Sequence, residues 1–422
     1  MQTAFSPSTE HVLVHLFSQI ALILGFSRTI GSLFARFGQS RSVGEIIAGV
    51  LLGPSLFGLL APEAFEFIFK PAGPAVLPWF SHMGLVLALF IIGMEFDFSK
   101  VIPDLPKVGT VSVLTLVAPL VLGFIIGPLL WKIAPGSDGA ESSYCLFVGM
   151  TIAITAIPIM GRILMERKLT QTRLGVLAIS TGAIKDLMTW FLLVLVIGIA
   201  NPPVDPIRVA RMIALTIALT TFALTVGRGL IARFQRQYGW TADGAPTGSM
   251  IAFLLVGLML FAAATAWIGI FAIFGAFLFG LTVSNDRRLS EAVSDRLHDL
   301  VIYLFLPIFF TYTGLRCDVS KLGFHGLIAV IFISIAGSAC VGGIAWAIAR
   351  WKGLRQCEAV AYGALINTPG LMVLILLNIG LDLKVIPIEL FSILVACAMV
   401  RNLLVSPILN RSIIGKPSTS SP

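Results

Sequence analysis

Thirteen apolar stretches, most of them about twenty residues long, follow one another along the chain. A helix needs about 20 apolar residues to cross ~30 Å of hydrocarbon. No soluble fold could bury that many such segments. Composition agrees: 12% of residues are charged, against roughly 25% in soluble domains, and mean hydropathy is +0.97. The chain reads as an all-α polytopic membrane protein with about 13 transmembrane helices. Ordinary globular domains, a disordered chain and a secreted disulfide scaffold are excluded. The eighth and ninth stretches, 247–267 and 269–284, run together around Thr265–Gly269 and form the weakest boundary.

The net charge of +8 is no nucleic-acid signal, because the basic residues sit in short loops rather than in one run. With the N-terminus outside, inner loops carry clusters such as Arg28, Arg36 and Arg41, or Arg228, Arg233 and Arg236. Outer loops carry scattered ones such as Lys70, Lys132 and Lys384. This follows the positive-inside rule and predicts N-terminus outside, C-terminus cytoplasmic, in a bacterial inner or plasma membrane. The first 26 residues hold no Lys or Arg, so the first stretch is expected to stay as a helix rather than leave as a secretory signal. The five cysteines show no CxxC or metal spacing. No soluble regulatory domain is expected, residues 1–422 reading as one transmembrane domain. Nor is there a nucleophile–base or metal constellation, so neither an enzyme nor a cofactor site is expected.

Two stretches are interrupted. The fifth, 143–165, contains Thr151, Thr155 and Pro158; the twelfth, 357–380, contains Asn367, Thr368, Pro369 and Gly370 together. Proline removes a backbone bond and clashes with the preceding turn. In lipid, the freed carbonyls and amides must face protein or a wet cavity. The two interruptions occupy equivalent places, each fifth in a block of six. The blocks, about 11–199 and 247–410, are joined by a helix at 207–230 and therefore have opposite orientations. Broken helices at matching places in inverted repeats point to a transporter's midplane site. The expected breaks are Ile157–Pro158 and Asn367–Gly370, with the two helices crossing there.

The sixth stretch, 173–199, carries Lys185 and Asp186. Asp186 lies 13 residues after Arg173 and 15 before Asn201, about 20 Å from either end, too deep to snorkel. An intramembrane ionisable group is a functional hypothesis by default; the bland reading is a structural ion pair with Lys185. Neighbours i and i+1 on a helix do not face each other, which argues against that pair. Asp186 shares a stripe with Gly175, Gly182 and Thr189 instead. The other deep charge is Arg401, in the thirteenth stretch beside Asn402. Lys185, Asp186 and Arg401 together leave a net charge of +1 if all are ionised. Arg401 is expected within charge-assisted hydrogen-bond reach of the Asp186 carboxylate, directly or through one water, and closer to it than Lys185 is. The bland alternative has Arg401 snorkelling to the inner surface.

Several segments carry a resemblance: VGEIIAGVLLGPSLFG (Val43–Gly58), MGLVLALFIIGMEFD (Met83–Asp97), AITAIPIMGRILMERKL (Ala153–Leu169), FGAFLFG (Phe274–Gly280), LPIFFTYTGLRCD (Leu306–Asp318) and NTPGLMVLILLNIG (Asn367–Gly380). The chain resembles the monovalent cation/proton antiporters that include Kef-type systems and the plant cation/H⁺ exchangers. The resemblance implies an inverted-repeat antiporter fold with two discontinuous crossing helices, usually a homodimer. It also implies a core domain that moves, elevator-like, against a dimerisation domain, exchanging H⁺ for Na⁺ or K⁺. By position, Asp186 matches that family's ion- and proton-binding aspartate, and Thr155, Asn367 and Thr368 fall in the broken segments beside it.

The departures from the family pattern cluster at the same place. Lys185 stands where Asp, Asn or Gln is usual, and Ser338 where related exchangers often carry a lysine. Pro369 replaces a basic residue and Val373 an acid, while Arg401 is new. The scaffold is kept and the charges at the site are rearranged. Two further readings therefore stand beside cation/proton exchange: proton-coupled transport of an organic or anionic solute attracted by Lys185 and Arg401, and a non-transporting membrane sensor or scaffold.

Overall fold

A computed structural model describes residues 9–69, 76–96, 98–136, 141–166, 169, 172–200, 206–241 and 244–413. The side chain of Pro158, the loop residue Lys70 and the end of the MGLVLALFIIGMEFD motif at Asp97 lie outside the described set. The described residues are helical apart from turns and one isolated bridge between Trp240 and Pro246.

Among the described residues, eleven helices are long and apolar enough to cross a membrane, against the thirteen that the apolar stretches suggest. Two stretches account for the difference. The fifth is split into Glu141–Ala153 and Ile157–Glu166. The ninth forms Ala272–Val283, a helix of 12 residues, which spans about 18 Å. The weak boundary between the eighth and ninth is a sharp helix end. Gly269 takes φ 99°, and its N–H and that of Ile270 return to the carbonyls of Ala266 and Thr265. Glycine reaches this left-handed conformation without the Cβ clash that other residues suffer. The linking helix runs from Pro206 to Tyr238 and widens into a π-helical turn at Ala223–Gly227.

The chain forms two compact units, and each draws on both halves of the sequence. One contains the described residues within 1–27, 57–98 and 203–312. Here Leu77–Met94 packs on Ala272–Val283. A Cβ on Gly93 would strike the carbonyl of Phe277, and one on Gly280 the carbonyl of Phe90. Small residues let the two backbones touch, which is how helices gain contact where lipid supplies no hydrophobic drive. Two of the sequence motifs are thereby explained as one interface.

The other unit contains the described residues within 28–56, 99–202 and 313–422. It holds both interrupted helices, Asp186 and Arg401. The Gly49–Gly53 segment meets Gly314 backbone to backbone, and Ser55 ties the two segments by donating to the Cys317 carbonyl (2.9 Å) and accepting from the Val319 N–H (3.0 Å).

Candidate transport site

The first interruption covers Ile154–Ala156, between the half-helices Glu141–Ala153 and Ile157–Glu166. It lies just before the expected position at Ile157–Pro158. Pro158 is the second residue of the second half, where a helix lacks a partner for its N–H in any case. The proline costs the helix the bond to the Ile154 carbonyl, four residues back, so the chain opens there. The second interruption lies at Asn367–Pro369, between Gln356–Ile366 and Gly370–Asp382.

The two openings cross. The Ala156 N–H donates to the Thr368 carbonyl (2.7 Å), and the Thr155 hydroxyl donates to the Ile366 carbonyl (2.6 Å). Gly370 makes the crossing possible. Its φ is +51°, and a Cβ there would overlap the methyl of Ala156. A non-glycine residue in this conformation costs about 1–2 kcal/mol before any clash. Gly370→Ala is therefore expected to lower the melting temperature and transport together; a variant with wild-type melting and transport would show that the crossing is not tightly packed.

An interrupted helix leaves unpaired carbonyls and the negative end of a helix dipole inside the membrane. Arg401 answers both. Its Nη1 and Nη2 donate to the Ile152 carbonyl at the end of the first half-helix, both at 3.2 Å. Its Nε (3.1 Å) and Nη2 (2.5 Å) donate to Asn367 Oδ1. Asn367 Nδ2 donates in turn to Ser338 Oγ (2.9 Å). Asn402, next to Arg401, accepts weakly from the Gly370 N–H (3.4 Å). Four helices thus meet around one guanidinium.

Arg401 is 3% exposed and bound at the crossing, so it does not snorkel to the inner surface. Among the described residues no ion pair or hydrogen bond joins it to Asp186. The break supplies its acceptors: carbonyls orphaned where water is absent need a donor, and Arg401 provides it.

Lys185 and Asp186 sit midway along the helix Arg173–Ala200, which packs against both halves of the first interrupted helix and the first half of the second. Lys185 is fully buried, and its Nζ donates to Thr155 Oγ1 (2.8 Å). The ammonium thus reaches the same crossing through the hydroxyl that holds the Ile366 carbonyl. Asp186 is 3% exposed and makes no hydrogen bond or ion pair within the described residues. Gly182 and Thr189, on its stripe, are buried.

Not every candidate joins the site. Thr151 is buried, but its hydroxyl donates to the Phe147 carbonyl within its own helix (2.9 Å). Thr368 contributes its carbonyl to the crossing, while its hydroxyl returns to Ala364 (3.2 Å). Pro369 precedes the second half-helix as its cap, with φ −70°. Sequence reasoning missed Tyr362. Its hydroxyl lies 2.5 Å from that of Thr181, one turn before Lys185, and links that helix to the second interrupted one. A lone tyrosine amid small apolar residues was the available signal. It also missed the π-helical turn Ala339–Gly343 beside the crossing, where Gly342 and Gly363 bring two backbones together.

Two crossed, interrupted helices with a buried carboxylate and a buried ammonium beside them make this crossing a candidate transport site, since broken helices and intramembrane charges are the features on which membrane transporters build such sites. The comparisons give the family. Residues 20–411 match the model of the transmembrane sodium/hydrogen exchangers, and the chain belongs to that family, a family of transporters and not of enzymes. It is 34% identical to the Na⁺/H⁺ antiporter NhaS4 of Synechocystis over 94% of this chain and 97% of that one. It is 31% identical to cation/H⁺ antiporter 19 of Arabidopsis thaliana over 95% of this chain and 49% of the relative. For the K⁺/H⁺ antiporter 1 of Saccharomyces cerevisiae the identity is 28%, over 95% and 46%. The chain thus spans about half the length of its plant and yeast relatives. Among solved structures, the sodium/proton antiporter MjNhaP1 of Methanocaldococcus jannaschii shares the fold with a TM-score of 0.65, at 14% identity over 96% of this chain and 97% of that one.

Proposed function

We propose that this integral membrane protein exchanges a monovalent cation, Na⁺ or K⁺, for H⁺ by alternating access at the crossing. The observation that carries the reading is Asp186: a buried carboxylate, beside two broken helices, that makes no hydrogen bond or ion pair among the described residues. Such a group is costly in a membrane unless it takes a proton or a cation in turn. The names of the relatives support the same exchange.

The anionic-solute reading would need bases that are open to a ligand. Arg401 instead directs its N–H groups at Ile152 and Asn367, and Lys185 is seated on Thr155. Those contacts favour a cation. The wider arrangement belongs to the same proposal. Inverted repeats at about 11–199 and 247–410 build one transmembrane domain, and the unit with the crossing moves against the other. The working form is a homodimer in a bacterial inner or plasma membrane, N-terminus outside and C-terminus cytoplasmic.

Reconstituted protein in liposomes with an imposed ΔpH tests the exchange. Addition of Na⁺ or K⁺ is expected to dissipate the gradient, with Li⁺ and Rb⁺ ranking the selectivity. A gradient indifferent to all four cations would overturn the reading.

A further inference from the structure

The half-helix Gly370–Asp382 is apolar except for two side chains, Asn378 and Asp382. Both answer one residue. Arg316 Nη1 donates to Asn378 Oδ1 (3.0 Å), and its Nη2 donates to Asp382 Oδ1 (2.6 Å). Asn378 Nδ2 donates in turn to Thr313 Oγ1 (2.8 Å) and to the Leu374 carbonyl (2.9 Å). Asn378 is 6% exposed, and an amide buried that deeply is kept only with its hydrogen bonds made. The connection that carries Arg316 is itself fixed on two sides. Ser55 holds the Cys317 carbonyl and the Val319 N–H, and Ser392 Oγ accepts from the Asp318 N–H (3.0 Å). Residues from three of the sequence motifs, Ser55, Arg316 and Asn378, thus meet in one polar knot.

The knot reaches the crossing through the half-helix. Asn378 lies eight residues after Gly370 and Asp382 twelve, about 12 and 18 Å along the axis. The interruption at Asn367–Pro369 cuts this half off from the first, which has its own ties through Tyr362 to Thr181 and from the Ile366 carbonyl to Thr155. Apart from its own following turn, the hydrogen bonds that leave Gly370–Asp382 among the described residues go to Asn402 at 3.4 Å and to the knot. Apolar contact is non-directional, so directional bonds set the register along the axis. Gly370 has no slack to absorb a slide, since it already lies against the Ala156 methyl.

We propose that Arg316 is a positioning residue for the transport site: by gripping Asn378 and Asp382 it sets how far the half-helix Gly370–Asp382 reaches into the crossing. The proposal rests on the cation/proton reading above, which takes the crossing as the place where the cation binds. A binding constellation must be held within about 0.5 Å by the residues behind it, and here the hold comes from the far end of a helix. Loss of the grip loosens the crossing and weakens cation binding, while the alternation of the site between the two sides is untouched. The apparent KM for the cation therefore changes and kcat does not.

The test reads the full chain in two ways. Cation-driven ΔpH dissipation in proteoliposomes gives KM and kcat for Na⁺ and K⁺. Hydrogen exchange by mass spectrometry follows the Ala156 amide, which donates to the Thr368 carbonyl across the crossing. Arg316→Gln is expected to raise the apparent KM about tenfold with kcat within about twofold, the order of one charge-assisted hydrogen bond passed on to the site. The same variant is expected to speed exchange at Ala156. The charge reversal Arg316→Glu with Asp382→Arg restores the pair with its ends turned round, and position 382 stands one turn beyond Asn378 on the same face. It is expected to recover most of the affinity and the slow exchange at Ala156. Ser55→Ala cuts a tie of the connection but none of the half-helix, and is expected to lower the melting temperature while leaving KM and Ala156 unchanged. A folded Arg316→Gln protein with wild-type KM and wild-type exchange at Ala156 would overturn the proposal. So would a charge reversal that recovers nothing, or a Ser55→Ala protein with the same rise in KM, because the knot would then act on stability alone. Should Arg316→Gln not fold, Asp382→Ala, which spares the Asn378 contact, decides on the same two readings. A wild type in which no cation dissipates the gradient would overturn the exchange reading, and the Ala156 amide then decides the positioning by itself.

Discussion

Asp186→Asn is expected to reduce proton-coupled exchange to the level of empty liposomes while the protein remains folded. Asparagine keeps the shape of the side chain but carries no charge to hold a cation and cannot titrate. The neutral amide is also cheaper to bury than a carboxylate, so the variant should melt at or above the wild-type temperature. The combination of a higher melting temperature and no transport separates a functional carboxylate from a structural one. Measurable exchange by a monodisperse Asp186→Asn protein would remove Asp186 from the transport step. Asp186→Glu keeps the charge on a longer stem and is expected to keep some exchange with altered cation selectivity.

The second large effect is expected at Arg401. Replacing it with Met leaves the Ile152 carbonyl and Asn367 Oδ1 without their donors. Each buried acceptor stripped of its partner costs about 1–3 kcal/mol, so a total of about 2–5 kcal/mol is expected. In detergent this should appear as a large drop in melting temperature and a loss of expression. Arg401→Lys should recover only part of the loss, because a single ammonium cannot span the two acceptors as the planar fork does. An Arg401→Met protein that melts like wild type would show that the half-helix ends are satisfied by other means.

The contrast between the two residues shows what was legible in the sequence. Asp186 was legible because depth alone marks an aspartate that cannot reach water. The interruptions were legible because Pro158 and the Asn367–Gly370 cluster sit at equivalent places in two blocks of helices. The partner of Arg401 was not legible. The sequence shows side-chain charges but not which backbone carbonyls a break will orphan, and one of the acceptors here is the carbonyl of Ile152, an unremarked isoleucine. The break itself fell before Pro158 because a proline is harmless in a first turn and harmful to the residue four back. The thirteen apolar stretches became eleven long helices because an interrupted span and a 12-residue helix look like ordinary spans when only hydropathy is read. Thr151 was drawn into the site by its position beside a proline, yet in an intact helix its hydroxyl has a nearer acceptor one turn back.

The crossing also sets the order in which the protein can be made. Arg401 is 249 residues downstream of the carbonyl that it satisfies, and Thr368 lies far beyond the Ala156 N–H that it receives. At ~5–20 residues per second, synthesis leaves the first interrupted helix waiting about 10–50 s for its partners. Throughout that interval its open backbone must be kept company by water, lipid headgroups or the insertion machinery. The unit containing the site is therefore completed last, when the final helix enters the membrane. A ribosome stalled before Arg401 would leave behind a nascent chain whose earliest helices are already threaded but whose centre is still unclosed.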